Sequence, residues 1–162
     1  IGYNFYDLDT EVQKYYQTPI EKLQNKCLTM NGFRQKTSLV LDLLLDKDEN
    51  SIIAGTPSGL RDSYLTVYKK HKKLNNLVSI SLIDKPENIL NRLTFYDIDS
   101  NLLEIKMDEN DRKKYLKKII GDWNYFKTSL SRADFTIDIE GIPLSDIPLM
   151  IIKELNISEY KN

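Results

Sequence analysis

Cys27 is the only cysteine in the 162 residues. One thiol excludes an intrachain disulfide and a metal site built from cysteines, and it fits a reducing compartment. Histidine is as scarce: His71 stands alone, inside the basic run Lys69-Lys70-His71-Lys72-Lys73. That setting makes it a poor base and leaves no Ser-His-Asp or Cys-His arrangement to expect. The longest apolar stretch, Leu39 to Leu45, is interrupted by Asp42 and is far too short to cross a bilayer. No basic-then-apolar leader is visible, so a cytoplasmic location is expected, with no membrane partner. Neither sign of charge dominates, since 23 basic and 24 acidic residues leave −1. Such a balance exerts no overall pull on nucleic acid. No Gly-x-x-x-x-Gly-Lys-Ser/Thr stretch, the Walker A loop that cradles nucleotide phosphates, occurs anywhere. Nor does any repeat of solenoid length.

What is present is an ordinary globular composition, 41% hydrophobic and 29% charged, in a length that suits one domain spanning 1–162 with a real core. The most informative stretch is Asn4-Phe5-Tyr6-Asp7-Leu8-Asp9. An apolar, aromatic run ends in two carboxylates at i, i+2, and Val12, Tyr15 and Tyr16 then fall at helical spacing. The pattern predicts a strand delivering two acids to its C-terminal edge, where open α/β sheets bind ligands.

Further along, Thr18-Pro19-Ile20-Glu21 predicts a helix capped by Thr18. Asn31-Gly32 marks a break before a third helix from Phe33. Ser51–Ala54 predicts a buried strand, Leu60 to Lys73 a helix, and Leu77 to Ile83 an alternating strand. Asp84-Lys85-Pro86-Glu87 caps the next helix. Thr94 to Asn110 reads as a mobile excursion. Asp111 to Arg132 predicts the longest helix, with Trp123 on its core face. Ala133 to Ile139 predicts a strand, and Ser145 caps a last helix. Strands alternating with helices predict an α/β fold, a parallel sheet between helical layers. Phe95-Tyr96-Asp97-Ile98-Asp99 echoes the opening stretch, an echo read as coincidence.

Four features carry candidate chemistry. Asp7 and Asp9 together suit a metal ion and a substrate hydroxyl; equally, Asp9 caps the following helix while Asp7 is solvated. Arg34 offers a guanidinium fork for a carboxylate or phosphate, though a lone arginine is more often on the surface. The loop Gly55-Thr56-Pro57-Ser58-Gly59 brings backbone N–H groups to a ligand or simply turns the chain. Arg92 leads into the excursion as a lid would, or complements a helix C-terminus. The basic run at Lys69–Lys73 is expected to be a solvated helix end.

Taken in order, these residues resemble the shikimate kinase family of small-molecule P-loop kinases. Phe5-Tyr6-Asp7-Leu8-Asp9 looks like its Asp-x-Asp strand end, Pro19-Ile20 and Phe33-Arg34 like its helix pair, and Ile52-Ile53-Ala54-Gly55 like the approach to its glycine triplet. Pro86-Glu87-Asn88-Ile89 with Arg92-Leu93 looks like its pre-lid helix, and Ala133-Asp134 like the start of its C-terminal unit. The resemblance implies an ATP- and magnesium-dependent transfer of the γ-phosphoryl group to a hydroxyl of a small carboxylated acceptor, shikimate, in aromatic amino acid biosynthesis. It implies Asp7 at magnesium, Asp9 at the acceptor hydroxyl and as base, and Arg34 on the acceptor carboxylate. Gly55, Ser58, Gly59 and Arg132 would also line the acceptor, and Arg92 the nucleotide. The family's late-helix substrate arginine falls on Asp122 or Tyr125, with Lys127 or Arg132 as substitutes. A monomer or weak dimer is expected.

The family's first strand and Walker A loop have no counterpart here, and that strand lies between those resembled by Ser51–Ala54 and Leu77–Ile83. A slot is therefore expected in the sheet, filled by a segment outside this sequence, or else a rearrangement or pairing with another chain. Two other readings stay open. One is a catalytically incompetent module that binds a metabolite or partner. The other is a nucleic-acid- or protein-binding domain using the basic helix end.

Overall fold

The computed structural model describes residues 2–74 and 77–155. Its elements run β1 (Asn4–Asp7), α1 (Leu8–Tyr16), α2 (Ile20–Asn25), α3 (Met30–Leu45), β2 (Ser51–Ala54), α4 (Asp62–Leu74) and β3 (Ile80–Ile83). Then come α5 (Pro86–Arg92), β4 (Phe95–Tyr96), β5 (Leu102–Leu103), α6 (Glu109–Leu130), β6 (Phe135–Asp138) and α7 (Ile147–Glu154). The expected α/β order is borne out. Among the described residues, all strand pairing outside the β4–β5 hairpin is parallel.

The parallel strands form two separate pairs rather than one sheet. β1 pairs with β2, Asn4 opposite Ser51 and Asp7 opposite Ala54. β3 pairs with β6, Ile80 opposite Phe135 and Ile83 opposite Asp138. β2 and β3 share no ladder. Each pair keeps its register because one face of each strand is buried under helices, and a one-residue slip would reverse that face. The expected slot is thus present as two unpaired strand edges.

Each pair has its own core. Leu8, Val12, Leu23, Val40, Leu44 and Tyr64 are buried together, with Tyr6 and Ile53 of the first strand pair packed against them. Ile137, Ile139 and Ile147 form the second core, with Ile80, Met150 and Ile151. Burying each such side chain contributes about 1.5–3 kcal/mol. The opposite face of the first pair is bare. Phe5 and Ile52, partners in register, are 68% and 53% exposed.

Several local expectations are corrected. Asp7, not Asp9, caps α1, its Oδ1 accepting the Thr10 N–H at 2.8 Å. Strand geometry ends at Asp7, so Asp9 lies in the first helical turn. Pro19, not Thr18, precedes α2, with no side-chain cap. Asn31-Gly32 does not break the chain: Thr29 caps α3, accepting from Gly32 N at 3.1 Å, so both lie in the first turn. The cap outweighs the intrinsic preference of Asn-Gly for a turn. Ser145 does not cap α7 either; it donates to Asp146, the residue preceding the helix. Trp123 is half-buried beneath Lys127, 5.5 Å from its ring, rather than in either core.

The segment read as an excursion carries the β4–β5 hairpin, and its tip reaches back to α1 and α2. The Ser100 hydroxyl lies 2.9 Å from Gln13 Oε1 and 2.8 Å from Glu21 Oε2, within reach of donating to either, and Lys22 pairs with Asp99. The echo at Phe95–Asp99 is structurally distinct from the opening stretch. There Asp97 closes the hairpin turn by accepting the N–H groups of Asp99 and Asn101.

Candidate functional site

The parallel register of β1 and β2 decides where the chemistry gathers. Asp7 lies opposite Ala54, so the carboxylate turn and the Gly55–Gly59 loop leave the same C-terminal edge. Ligands of open α/β sheets bind at such an edge. Asp7 uses one carboxylate oxygen as the α1 cap and stays exposed. Asp9 keeps an accessible surface, yet the protein crowded around its carboxyl raises its pKa, helped by the charges of Asp7 and Glu21.

Arg34 is not a surface arginine. It is 7% exposed, drawn in by the α3 face that buries Thr37, Ser38 and Val40. Its Nη1 donates to Asp62 Oδ2 at 3.0 Å and its Nη2 approaches the Tyr125 hydroxyl at 3.5 Å. Its Nε is buried without a hydrogen-bond partner. Tyr64 is buried nearby and hydrogen-bonded to Thr37 of the same helix as Arg34. Burial raises the Tyr64 pKa, and the charges of Asp9 and Arg34 act on it in opposite directions. Asp9 and Arg34, 25 positions apart in sequence, thus both act electrostatically on one buried tyrosine.

Arg61, absent from the sequence-based candidates, completes the group. Its Nε lies 3.4 Å from Asp62 Oδ2, its Cζ stacks 4.1 Å from the Tyr125 ring centroid, and its Nη1 reaches the Tyr125 carbonyl at 3.4 Å. Asp62 takes a left-handed backbone, φ 52°, which aspartate tolerates better than most residues. Arg61 stands two residues after the glycine-bounded loop, and that closeness was the available signal. Tyr125, one of two positions expected to carry the late-helix arginine, holds both guanidinium groups instead.

The loop itself is tightly built. Gly59 N donates to Thr56 O at 2.8 Å, and a Cβ at Gly59 would come 3.0 Å from that oxygen. Ser58 is buried, its hydroxyl 3.1 Å from that of Thr56. Gly55 has open space around it. Ser129 accepts from Leu60 N at 3.2 Å, and Arg132 Nη1 donates to Leu60 O at 2.9 Å. Arg132 therefore tethers the loop to the end of α6.

Arg92 sits elsewhere on the molecule's strand ends. Its Nη1 lies 2.7 Å from the buried Asp84 Oδ2, an ion pair without hydrogen-bond alignment. Asn88, Asn91, Gly141, Ile142 and Pro143 border a cavity of about 300 Å³ beside it. A larger depression of about 600 Å³, between Tyr16 and Leu39, contains none of these residues.

No family model and no curated protein matched the sequence. Solved structures did. The chain is similar to a shikimate kinase from Aquifex aeolicus, with a TM-score of 0.58 and 23% identity, over 96% of this chain and 80% of that one. It is also similar to a shikimate kinase from Bacteroides thetaiotaomicron, with a TM-score of 0.65 and 14% identity, over 94% and 83% respectively. The chain folds like a shikimate kinase. Structural likeness at this level of identity shows the fold alone and leaves the activity to be argued from the site. Asp9 and the Gly55–Gly59 loop follow the paired ends of β1 and β2, and Arg34 reaches Asp62 just beyond that loop. Arg92 lines a separate cavity. Among the described residues no helix is long and apolar enough to cross a membrane.

Proposed function

We propose that the chain is the acceptor-binding part of a shikimate-kinase-like phosphotransferase, which moves the γ-phosphoryl group of ATP to a hydroxyl of a small carboxylated acceptor. The observation that carries this reading is the buried Arg34, with an unpartnered Nε, held by Asp62 just beyond the Gly55–Gly59 loop. A planar guanidinium in a low-dielectric site is suited to a carboxylate. A carboxylate of raised pKa is suited to accept a hydroxyl proton. Arg34 orients the acceptor through its acid group, Asp9 holds the hydroxyl, and the loop through Gly55, Ser58 and Gly59 closes one side. Shikimate is the acceptor that the fold favours.

Magnesium fits at Asp7. That carboxylate is exposed, retains an oxygen beyond its cap, and repels Asp9, so a hydrated cation there relieves the repulsion. Magnesium keeps several waters and needs only one or two carboxylates; bound, it neutralises developing phosphoryl charge. Arg92 and its cavity would receive a part of the nucleotide remote from the reacting phosphate. The triphosphate itself has no cradle in this sequence, which lacks a Walker A stretch. The unpaired edges of β2 and β3 and the bare Phe5–Ile52 face suit a strand-and-helix unit that would bring such a loop. Phosphoryl transfer is therefore assigned to the completed domain, acting in the cytoplasm.

Those same edges favour the second reading, a kinase-like module that binds a metabolite or partner without turnover. The two separate in one experiment. Calorimetry with shikimate reads acceptor binding by this chain alone. ADP release coupled to shikimate phosphorylation reads turnover by the full gene product, with Asp9→Asn as control. Binding with turnover that Asp9→Asn abolishes supports the enzyme. Binding without turnover supports the module. Absence of shikimate binding removes the acceptor assignment.

A further inference from the structure

Away from the acceptor site, one cluster bridges two helices. Asp42 and Asp46 stand one turn apart at the C-terminal end of α3, and His71 faces them from α4. The sequence placed His71 in a solvated basic run; the structure buries it to 1% exposure, because α4 packs that side against α3. His71 Nε2 lies 2.6 Å from Asp42 Oδ1 and 3.8 Å from Asp46 Oδ1. One ligand atom from each of the three residues lies within 4.8 Å of the other two. Lys70 Nζ shares this place, 2.8 Å from Asp42 Oδ1 and 3.3 Å from Asp46 Oδ2. The cluster thus already gathers a cation, and the carbonyl end of α3 adds partial negative charge there. The Lys70 side chain is 44% exposed, so it is free to swing into solvent.

We propose that Asp42, Asp46 and His71 form a site for one divalent transition-metal ion of the zinc class, which displaces the Lys70 ammonium. One imidazole nitrogen and two carboxylates suit such an ion, whereas magnesium and calcium favour all-oxygen sites. Bonds of about 2.0–2.1 Å put tetrahedral neighbours roughly 3.3 Å apart. The observed separations of 2.6 and 3.8 Å from His71 bracket that spacing, so small rotamer adjustments complete it. Asp46 is 54% exposed, which leaves water access to the fourth position. A bound ion clamps α3 to α4 and stabilises the folded chain.

The test is a zinc titration of the purified chain in competition with a chromophoric chelator. One equivalent is expected, weakened about tenfold or more by Asp46→Asn and by His71→Gln, and tightened by Lys70→Met. Asp46→Asn alters an exposed carboxylate and decides the matter if His71→Gln does not fold. Cys27→Ser should retain the zinc, since the one thiol lies outside the cluster. No binding by the unaltered chain, undiminished binding in Asp46→Asn, or loss of zinc in Cys27→Ser overturns the site. Unchanged affinity in Lys70→Met overturns the displacement of Lys70.

Discussion

The Arg34 guanidinium binds the Asp62 carboxylate, Nη1 to Oδ2 at 3.0 Å. Arg61 reaches the same oxygen at 3.4 Å, so two cations share one internal anion. If Arg34 binds the acceptor carboxylate as proposed, Asp62 competes with it for the guanidinium. Asp62→Asn should therefore strengthen shikimate binding, and Arg34→Lys should weaken it by about 2 kcal/mol, roughly 30-fold, because the ammonium lacks the fork. Calorimetry on folded variants checks both directions. Tighter binding by Arg34→Lys would remove Arg34 from the carboxylate contact.

Asp9 is expected to trade stability for function. Its pKa is raised by crowding and by Asp7 and Glu21, so the folded state holds its proton more firmly than the unfolded chain does. Its protonated form stabilises the fold at low pH, and that contribution is lost as pH rises through the raised pKa. At neutral pH, Asp9→Asn should be as stable as the unaltered chain or up to about 1 kcal/mol more stable, after allowing for solvent screening. It should abolish turnover in the completed domain. Urea unfolding at two pH values, alongside the turnover assay, measures both.

Asp134 ties three elements together. Burial alone would raise its pKa. Hydrogen bonds from Lys72, the Ser79 N–H, Tyr68 and the Ser79 hydroxyl outweigh burial and hold it far below the usual carboxylate range. A depressed folded pKa contributes stability above the unfolded value of about 3.9, lost progressively as pH falls below it. Asp134→Asn should cost about 1.5–3 kcal/mol at pH 7 and flatten the acid limb of the stability curve. An acid limb unchanged in the variant would contradict this.

The open strand edges predict an exchange pattern. Amides of Ser51–Ala54 and Ile80–Ile83 that do not bond to β1 or β6 should exchange quickly in this chain. In the full gene product a strand placed between β2 and β3 should slow them. Phe5→Ser should cost less than about 0.5 kcal/mol in this chain, since the side chain is 68% exposed. A covering helix in a longer product should make the same substitution more costly. Equal exchange and equal cost in both proteins would show that nothing fills the slot.

Much of this was legible in the residues. The strand ending at Asp7, the helices after it and the strand at Ser51–Ala54 follow from apolar spacing. That spacing reports which face each element buries. The slot was legible only through the family resemblance, whose sheet has one more strand between the counterparts of β2 and β3. The burial of Arg34 and His71 was not. A cation's exposure depends on which helix packs against it, and the partners Asp62 and Asp42 lie 28 and 29 positions away. Nor was the cap at Asp7, where a difference of two residues separates strand end from first helical turn.

The sequence alone determined the α/β order, the absence of a Walker A stretch and the two carboxylates at the end of β1. These are properties of local pattern, set by propensity and periodicity. Only the tertiary structure decided that Arg34 is buried against Asp62, that Arg61 shares that carboxylate, and that β2 and β3 stand unpaired. Those facts depend on parallel register and helix packing, which bring together side chains that no spacing along the chain relates.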